Sequence, residues 1–277
     1  MSDARELWKR IESIHAVTYF APESIAAATQ AGLKGFWMGY FGFRAAPMGA
    51  VGVGPVHAAF ANFAKPMVQR SIPDAWAFAS PTDLVNIRAD AAATALRRLS
   101  PSVRQGTPIS ELNHTLGELI ANADPLGRPL FAANAELDRR TDAVEQLWQL
   151  CTTIREHRGD GHVIALASHQ IDGCEAHQLH AAAHGTPHEV LRDNRGFSDD
   201  EWQAAAGRLQ RRGLIEAGRL TATGQDLVQS VEALTDDLAP TPLNASDTLI
   251  EQLTPIANDI TESGVLPFPN PMGLPKL

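Results

Sequence analysis

Between Lys34 and Lys65 the chain carries a single permanent charge, Arg44, in the run GFWMGYFGFRAAPMGAVGVGPVHAAFANFA. The one possible second positive charge there is His57. A guanidinium cannot shed its proton inside a protein, and burying it unpaired costs several kcal/mol or more. If the run is core, Arg44 must meet a carboxylate, several carbonyls or a bound anion. The run is long enough to span a membrane, but Pro47, Pro55, six glycines and Arg44 itself interrupt it. It therefore reads as the interior of a globular fold.

At 277 residues the chain can form one large domain or two of ordinary size. The formal charge of −9 and pI of about 5.5 count against a nucleic-acid binder, which draws most of its affinity from neutralising phosphates. The opening MSDARELWKR has no apolar run after its charges, so no secretory leader is expected. Cys151 and Cys174 make no disulfide framework and fit a reducing cytoplasm.

Helical spacing covers Glu6–Tyr19, then PESIAAATQAGL from Pro22 to Gly32, then Gly35–Ala46, ended by Pro47. Val56–Arg70 reads as one helix with a kink or break at Pro66. Ser80-Pro81-Thr82-Asp83 is a helix start, with serine as cap, proline first and an acid in the first turn. That helix runs to Leu99, and another covers Ser110–Asn122. The second half reads as a helix over Ala143–Glu156, a turn at HRGDG and a helix over His162–Ile171. Further helices cover Gly173–His184 and, capped by Ser198, Asp199–Arg212. A tight β-hairpin with Ala217-Gly218 at its tip follows. Thr221 then opens a long helix to Leu238, and a last helix covers Ala245–Glu262 before a Pro-rich tail.

The two halves repeat each other weakly. Leu7-Trp8 matches Leu147-Trp148, AGLKGFWMGYFGFRAAPMGAV lies on HQIDGCEAHQLHAAAHGTPHEV, and the Ser80 helix pairs with the Ser198 helix. The expected fold is mainly α, and the repeat implies two similar helical modules related by a pseudo-twofold axis. The expected division is 1–123 for the first module, 124–140 for a linker, 141–240 for the second, and 241–277 for a C-terminal helix and Pro-rich tail. A pocket is expected between the halves.

The order helix, RLQRRGLIE, hairpin AGRL, then LTATGQDL into a long helix resembles the winged-helix core of MarR-type regulators. The whole chain also resembles a bacterial family of about this length, described as helix-turn-helix or MarR-like. The matching blocks are His15 with Tyr19-Phe20-Ala21-Pro22-Glu23, GYFGFRAAPMG, GRPLFAANA and REHRGDGH. With the repeat, the resemblance implies a mainly α regulator fold of two tandem winged-helix-like (MarR-like) modules with a pseudo-twofold relation and a small β-hairpin wing in the second, and no particular reaction. The chain departs from that family at Ala61, where a tyrosine is usual, and at Cys174 and His177, where apolar residues are usual.

In such folds the helix before the hairpin leads into the major groove with its N-terminal turn. Here that turn is Ser198-Asp199-Asp200-Glu201, the wing tip is neutral, and Arg208, Arg211 and Arg212 lie at the other end. Acids in a first turn also stabilise any helix. The charge arrangement makes DNA an unfavoured partner, with a MarR-like regulator kept as the alternative.

Three groups of residues could carry chemistry. Cys174, His177, His180 and His184 fall on one helix at spacings that suit a transition metal or a haem, or are solvated and core-filling histidines. In REHRGDGH, Asp160 either caps the next helix and pairs with Arg158, or His162, in a first helical turn that favours the neutral imidazole, exchanges a proton beside Arg158. His15, Tyr19 and Glu23 recur every four residues, and Glu23 is the expected partner of Arg44 if that arginine is structural. Otherwise Arg44 holds an anion, Trp37 and Tyr40 floor a planar ring, and His57 and Asn62 line the same space. No Walker loop, dinucleotide fingerprint, HExxH or Ser-His-Asp signature is present. The expectation is a monomeric or homodimeric cytoplasmic protein that binds a small anionic or planar aromatic molecule. His15, His162 and His180 would supply polar contacts or acid–base chemistry. A haem or metal protein is the other alternative.

Overall fold

The computed structural model of the protein describes residues 3–105, 108–239, 246–268, 270 and 274–276. In α1 (Asp3–His15) the apolar positions Leu7, Ile11 and Ile14 all face inward. A break at Ala16 leads into α2 (Val17–Phe20), and Pro22 starts α3 (Pro22–Gln30). The apolar run gives α4 (Gly35–Ala45) and a 3-10 turn over Ala46–Met48 that contains Pro47. It then gives two helices rather than one kinked helix: α5 (Val53–Ala59) and α6 (Lys65–Gln69). Pro66 lies in the first turn of α6, where its missing N–H costs nothing, and so begins a helix instead of bending one.

Ser80 caps α7 (Pro81–Leu99), its hydroxyl accepting the Asp83 N–H at 3.1 Å. The short α8 (Pro101–Gln105) and α9 (Ile109–Ala121) follow. The stretch read as a linker contains α10 (Pro129–Ala135), whose Leu130 and Phe131 are buried.

The largest departure from the sequence reading is α11 (Ala143–Ser168), 26 residues long, which runs unbroken through HRGDG. Each glycine there costs about 1 kcal/mol of helix propensity relative to alanine. Packing outweighs it, because α11 is the central post: α1, α7, α9, α10 and α15 (Ala222–Asp237) all lie against it. Gly161 also leaves room for Leu238, whose Cβ would be 3.4 Å from an added methyl.

Beyond α11 come α12 (Gly173–His184), α13 (His188–Arg195) and α14 (Asp199–Arg211), the outer two started by capping boxes built on Asp172–Glu175 and Ser198–Glu201. Strands β1 (Ile215–Glu216) and β2 (Arg219–Leu220) pair antiparallel, Ile215 with Leu220 and Glu216 with Arg219. Ala217 and Gly218 both have positive φ, as a two-residue hairpin turn requires. Thr221 caps α15, and α16 (Ser246–Glu262) packs along α1. The Pro-rich joint at 240–245 and much of the tail lie outside the described residues. No helix among those described is long and apolar enough to cross a membrane.

The segment from α12 to α14 is fastened to the first half by backbone contacts. The Ala64 N–H donates to the Arg195 carbonyl at 2.9 Å, and His177 Nε2 lies 2.9 Å from the Asn62 carbonyl. A Cβ on Gly173 would fall 1.8 Å from the Ala61 carbonyl oxygen, so only glycine admits this approach. Gly35, its counterpart in the repeat alignment, instead has open space around it and a φ of +70°.

Candidate functional site

Arg44 reaches from the last turn of α4 to α11, not to α3. Its Nε and Nη2 donate to the two carboxylate oxygens of Glu156 at 2.8 and 2.9 Å, and Nη1 donates to the Tyr40 hydroxyl at 3.0 Å. Its guanidinium lies 4.2 Å from the centre of the Phe60 ring. The expected Glu23–Arg44 pair is therefore wrong. Glu23 sits at the surface end of α3 and takes the Arg98 guanidinium, Nη2 donating at 2.9 Å. Glu23 faces Arg98 near the surface, and α11 brings a better-buried carboxylate to Arg44 from its middle turns.

Glu156 also accepts from Arg155 Nη1 at 3.0 Å, and Arg155 Nε donates to Glu12 at 3.1 Å. Two arginines and two carboxylates thus alternate along the seam between α1, α4 and α11. Burial alone would raise the Glu156 carboxyl, but Arg44 and then Arg155 outweigh it and hold it well below the usual carboxylate range. Beside this chain, His15 Nε2 lies 2.9 Å from the Tyr19 hydroxyl and Nδ1 lies 3.0 Å from Thr152 Oγ1. Burial, followed by the positive charge of Arg155, pushes the His15 imidazole well below its ordinary value. The ring is neutral at physiological pH. Burial also raises the Tyr19 phenol, which stays protonated. Tyr19 and Tyr40 meet with ring centres 4.9 Å apart.

Deeper along the same seam is Arg88, which sequence reading passed over. It donates to the Phe43 carbonyl at 2.7 Å, to Asn134 at 2.8 Å and to Gln149 at 3.0 Å. Three neutral oxygens replace its hydration shell, and burial lowers its pKa to about 10, leaving it charged.

The remaining predicted residues are scattered. Trp37 packs edge-on to Tyr40 and to Phe63, at 5.7 and 5.6 Å. Asn62 faces α12 through its carbonyl, and His57 is half-buried on α5. Asp160 neither caps a helix following it nor pairs with Arg158. Its carboxylate accepts the Phe131 N–H at 2.9 Å and so caps α10 from the side, while burial pushes its pKa up to about 7. Arg158 turns outward to Asp236 at 2.9 Å and lies over Trp8. His162 sits in mid-helix beside Thr235 at 3.0 Å, so burial, not a helix N-terminus, keeps it neutral. Of the three histidines proposed for acid–base work, His15 bonds Tyr19 and Thr152, His162 bonds Thr235 and His180 stacks on His184, while Glu232 faces both His162 and His180.

The histidine stripe on α12 is likewise divided. Cys174 Sγ points to the Glu201 carbonyl at 3.8 Å, His177 to Asn62, and His180 stacks on His184 at 4.4 Å. Spacing gave a shared helix, but Cys174 and His177 turn to different neighbouring elements while His180 and His184 turn to each other. Among the described residues no group of three or more His, Cys, Asp or Glu is placed to hold a metal.

A groove of about 750 Å³ lies elsewhere, between the end of α12, the start of α13 and the hairpin, lined by residues such as Ala182, Pro187, His188, Arg219 and Val228. On α14, Arg208 is tied inward to Glu175 at 2.7 Å, and Arg212 to the carbonyls of Gln170 and His169 at 2.8 and 2.9 Å.

Helix α13, the turn at Gly196–Ser198, α14 and the two-stranded hairpin define a helix-turn-helix protein. The pattern of a helix-turn-helix family matches residues 4–267, and the chain belongs to that family. No curated protein and no solved structure matches it.

Proposed function

We propose that the chain uses its helix-turn-helix scaffold to bind a small anionic or planar aromatic molecule at the seam of α1, α4 and α11. The halves 1–123 and 141–240 then act as two related helical modules around that seat. The supporting observation is the meeting of Tyr19, Tyr40, Arg44, Arg155 and Glu156 beside a half-buried aromatic wall. A buried ionic chain of this kind gives little net stability over a well-packed apolar one. Its cost is offset if the same guanidiniums and phenols also receive a ligand.

Arg44→Ala is a poor probe, since it strands Glu156. Tyr40→Phe removes the hydroxyl that accepts from Arg44 Nη1 and leaves the two bonds between Arg44 and Glu156 in place. In a thermal-shift screen of small aromatic and anionic compounds, hits that stabilise the parent should stabilise Tyr40→Phe less. If Tyr40→Phe responds to every hit as the parent does, the seam is not the site.

Family membership favours a second reading, a DNA-binding regulator. Against it stand the exposed acids leading α14 and the inward ties of Arg208 and Arg212.

A further inference from the structure

The sheet stops at two strands, and β2 has an open edge beside the groove between the hairpin, the end of α12 and the start of α13. In an antiparallel pair, residues that exchange hydrogen bonds with the neighbouring strand alternate with residues whose N–H and C=O point the other way. The Thr221 N–H donates to the Leu214 carbonyl at 3.1 Å, so Leu214 with Thr221 is a bonded pair, Ile215 with Leu220 is not, and Glu216 with Arg219 is bonded again. The N–H and C=O of Leu220 therefore point away from β1. Leu220 lines the groove, and neither of these groups has a hydrogen-bond partner among the described residues. The groove, of about 750 Å³, is otherwise lined by apolar residues such as Ala182, Pro187 and Val228 and by Arg219. Among the described residues no Asp or Glu lines it. Arg219 is exposed and forms no ion pair among those residues, even with Glu216 opposite it in the hairpin.

We propose that this edge accepts a third, antiparallel strand: an extended peptide of a partner protein in which acidic and apolar residues alternate. A free donor and a free acceptor on one residue are both satisfied by a chain that offers a C=O and an N–H side by side, as an extended backbone does. A small anion or a nucleic-acid phosphate would take the N–H and leave the carbonyl facing a negative charge. Side chains of the added strand follow the alternation of β2. The one opposite Leu220 falls on the face where Leu220 and Val228 pack on Leu209, Leu214 and Val231, and it is apolar. Those before and after it fall on the face of Arg219, and they are acidic. A second copy of this chain fits worse. Two β2 edges meeting across a two-fold axis, Leu220 opposite Leu220, put both Arg219 side chains on one face as diagonal neighbours of like charge. Each copy also carries a formal charge of −9. The proposal stands apart from the seam and does not depend on it.

The test is fluorescence anisotropy on the full chain with labelled, capped heptapeptides at about 50 mM salt, where exposed charges are weakly screened. One peptide alternates glutamate with valine, and a second has lysine in place of glutamate. A third is the glutamate peptide with every valine N-methylated, which deletes the donors meant for the Leu220 carbonyl and keeps the charge. The parent is compared with Arg219→Gln and Arg219→Glu, with circular dichroism as the folding control. The glutamate peptide should bind the parent about threefold or more tighter than the lysine peptide, Arg219→Gln should lose that preference, and Arg219→Glu should reverse it. N-methylation should weaken binding about fivefold or more. If Arg219→Glu does not fold, the loss of preference in Arg219→Gln decides. Equal binding of the N-methylated and unmethylated peptides overturns strand addition. A glutamate preference that survives in both Arg219 variants overturns the pairing of acids with Arg219. A parent that binds none of the peptides overturns the whole proposal, and if it also sediments as a dimer, the edge belongs to a second copy.

Discussion

Arg44 and Glu156 meet as a two-bond fork, 2.8 and 2.9 Å long, that ties the last turn of α4 to the middle of α11 across 112 positions of sequence. Planar guanidinium and planar carboxylate match in this geometry, with Glu156 buried and Arg44 largely covered. Removing either partner leaves the other charge in a poorly solvating interior. Glu156→Gln should therefore lower unfolding stability by about 3–5 kcal/mol, read from the denaturant midpoint. Replacing both by apolar residues, as in Arg44→Met with Glu156→Leu, should restore most of that loss. A double variant no more stable than Glu156→Gln would mean that the pair itself, beyond mutual neutralisation, holds α4 on α11.

The same pair sets an acid limit. Because the Glu156 carboxyl is depressed in the folded state, its contribution is fully present above the unfolded carboxylate value of about 4.3. It is lost as pH falls below that value towards the folded one. Glu156→Gln should flatten stability against pH in this acid window, and an unchanged acid limb would show that other carboxylates dominate it.

Asp160 has the opposite sign. Burial raises its pKa to about 7, so the folded state binds a proton that the unfolded chain has released. Stability attributable to Asp160 falls as pH climbs from about 4 to about 7 and is level beyond. Asp160→Asn keeps an acceptor for the Phe131 N–H and cannot ionise. Relative to the parent it should gain about 1–4 kcal/mol between pH 5 and pH 8. Equal pH slopes in parent and variant would show that the carboxylate stays ionised throughout, held by the α10 N-terminus.

The elements with strong local punctuation were legible. Ser80-Pro81, Ser198 with Glu201, and Ala217-Gly218 each specify a cap or turn within a few residues, and the structure places them accordingly. The apolar run around Arg44 correctly signalled a buried cation in need of a partner. Which partner was not legible, because Glu156 lies 112 positions from Arg44 and nothing local marks it as an interior carboxylate. Trp148, Thr152 and Glu156 fall at intervals of four on α11, towards His15 and Arg44. Arg88 and Arg195 sit among ordinary helical surface patterns, and only tertiary neighbours mark them as interior. The meeting of Arg195 with Phe63 accompanies a close backbone approach at Gly173 and room left at Gly196 for the Met67 side chain, which no spacing rule reports.

Gly173→Ala tests that approach. The added methyl has nowhere to go, because the atom it meets is the Ala61 carbonyl, 1.8 Å away, and not a flexible side chain. Overpacking of this kind costs about 1–3 kcal/mol or more. The loss should be accompanied by faster hydrogen exchange at the Ala64 amide, which the Arg195 carbonyl accepts. If Gly173→Ala melts with the parent and the Ala64 amide stays protected, the α12–α14 segment has another way to sit on α5 and α6.

Charge around α14 yields the last prediction. A DNA-reading helix of this type presents its first turn to the phosphates. Here that turn holds Asp199, Asp200 and Glu201, with the Asp199 side chain 71% exposed. Arg192 spends its guanidinium on Asp193 and Asp199. Arg208 and Arg212 bond α12 and the end of α11. Duplex DNA should therefore go unretarded in a gel-shift at about 50 mM salt, a condition under which even sequence-independent binders associate. Asp199→Lys with Asp200→Lys reverses the local sign and should introduce weak retention. That retention should disappear by about 200 mM salt, since affinity carried by phosphate contacts falls steeply with ionic strength. Retention of duplex by the parent, with that same salt dependence, would show instead that the acids leading α14 do not face the phosphates and that the regulator reading is the correct one.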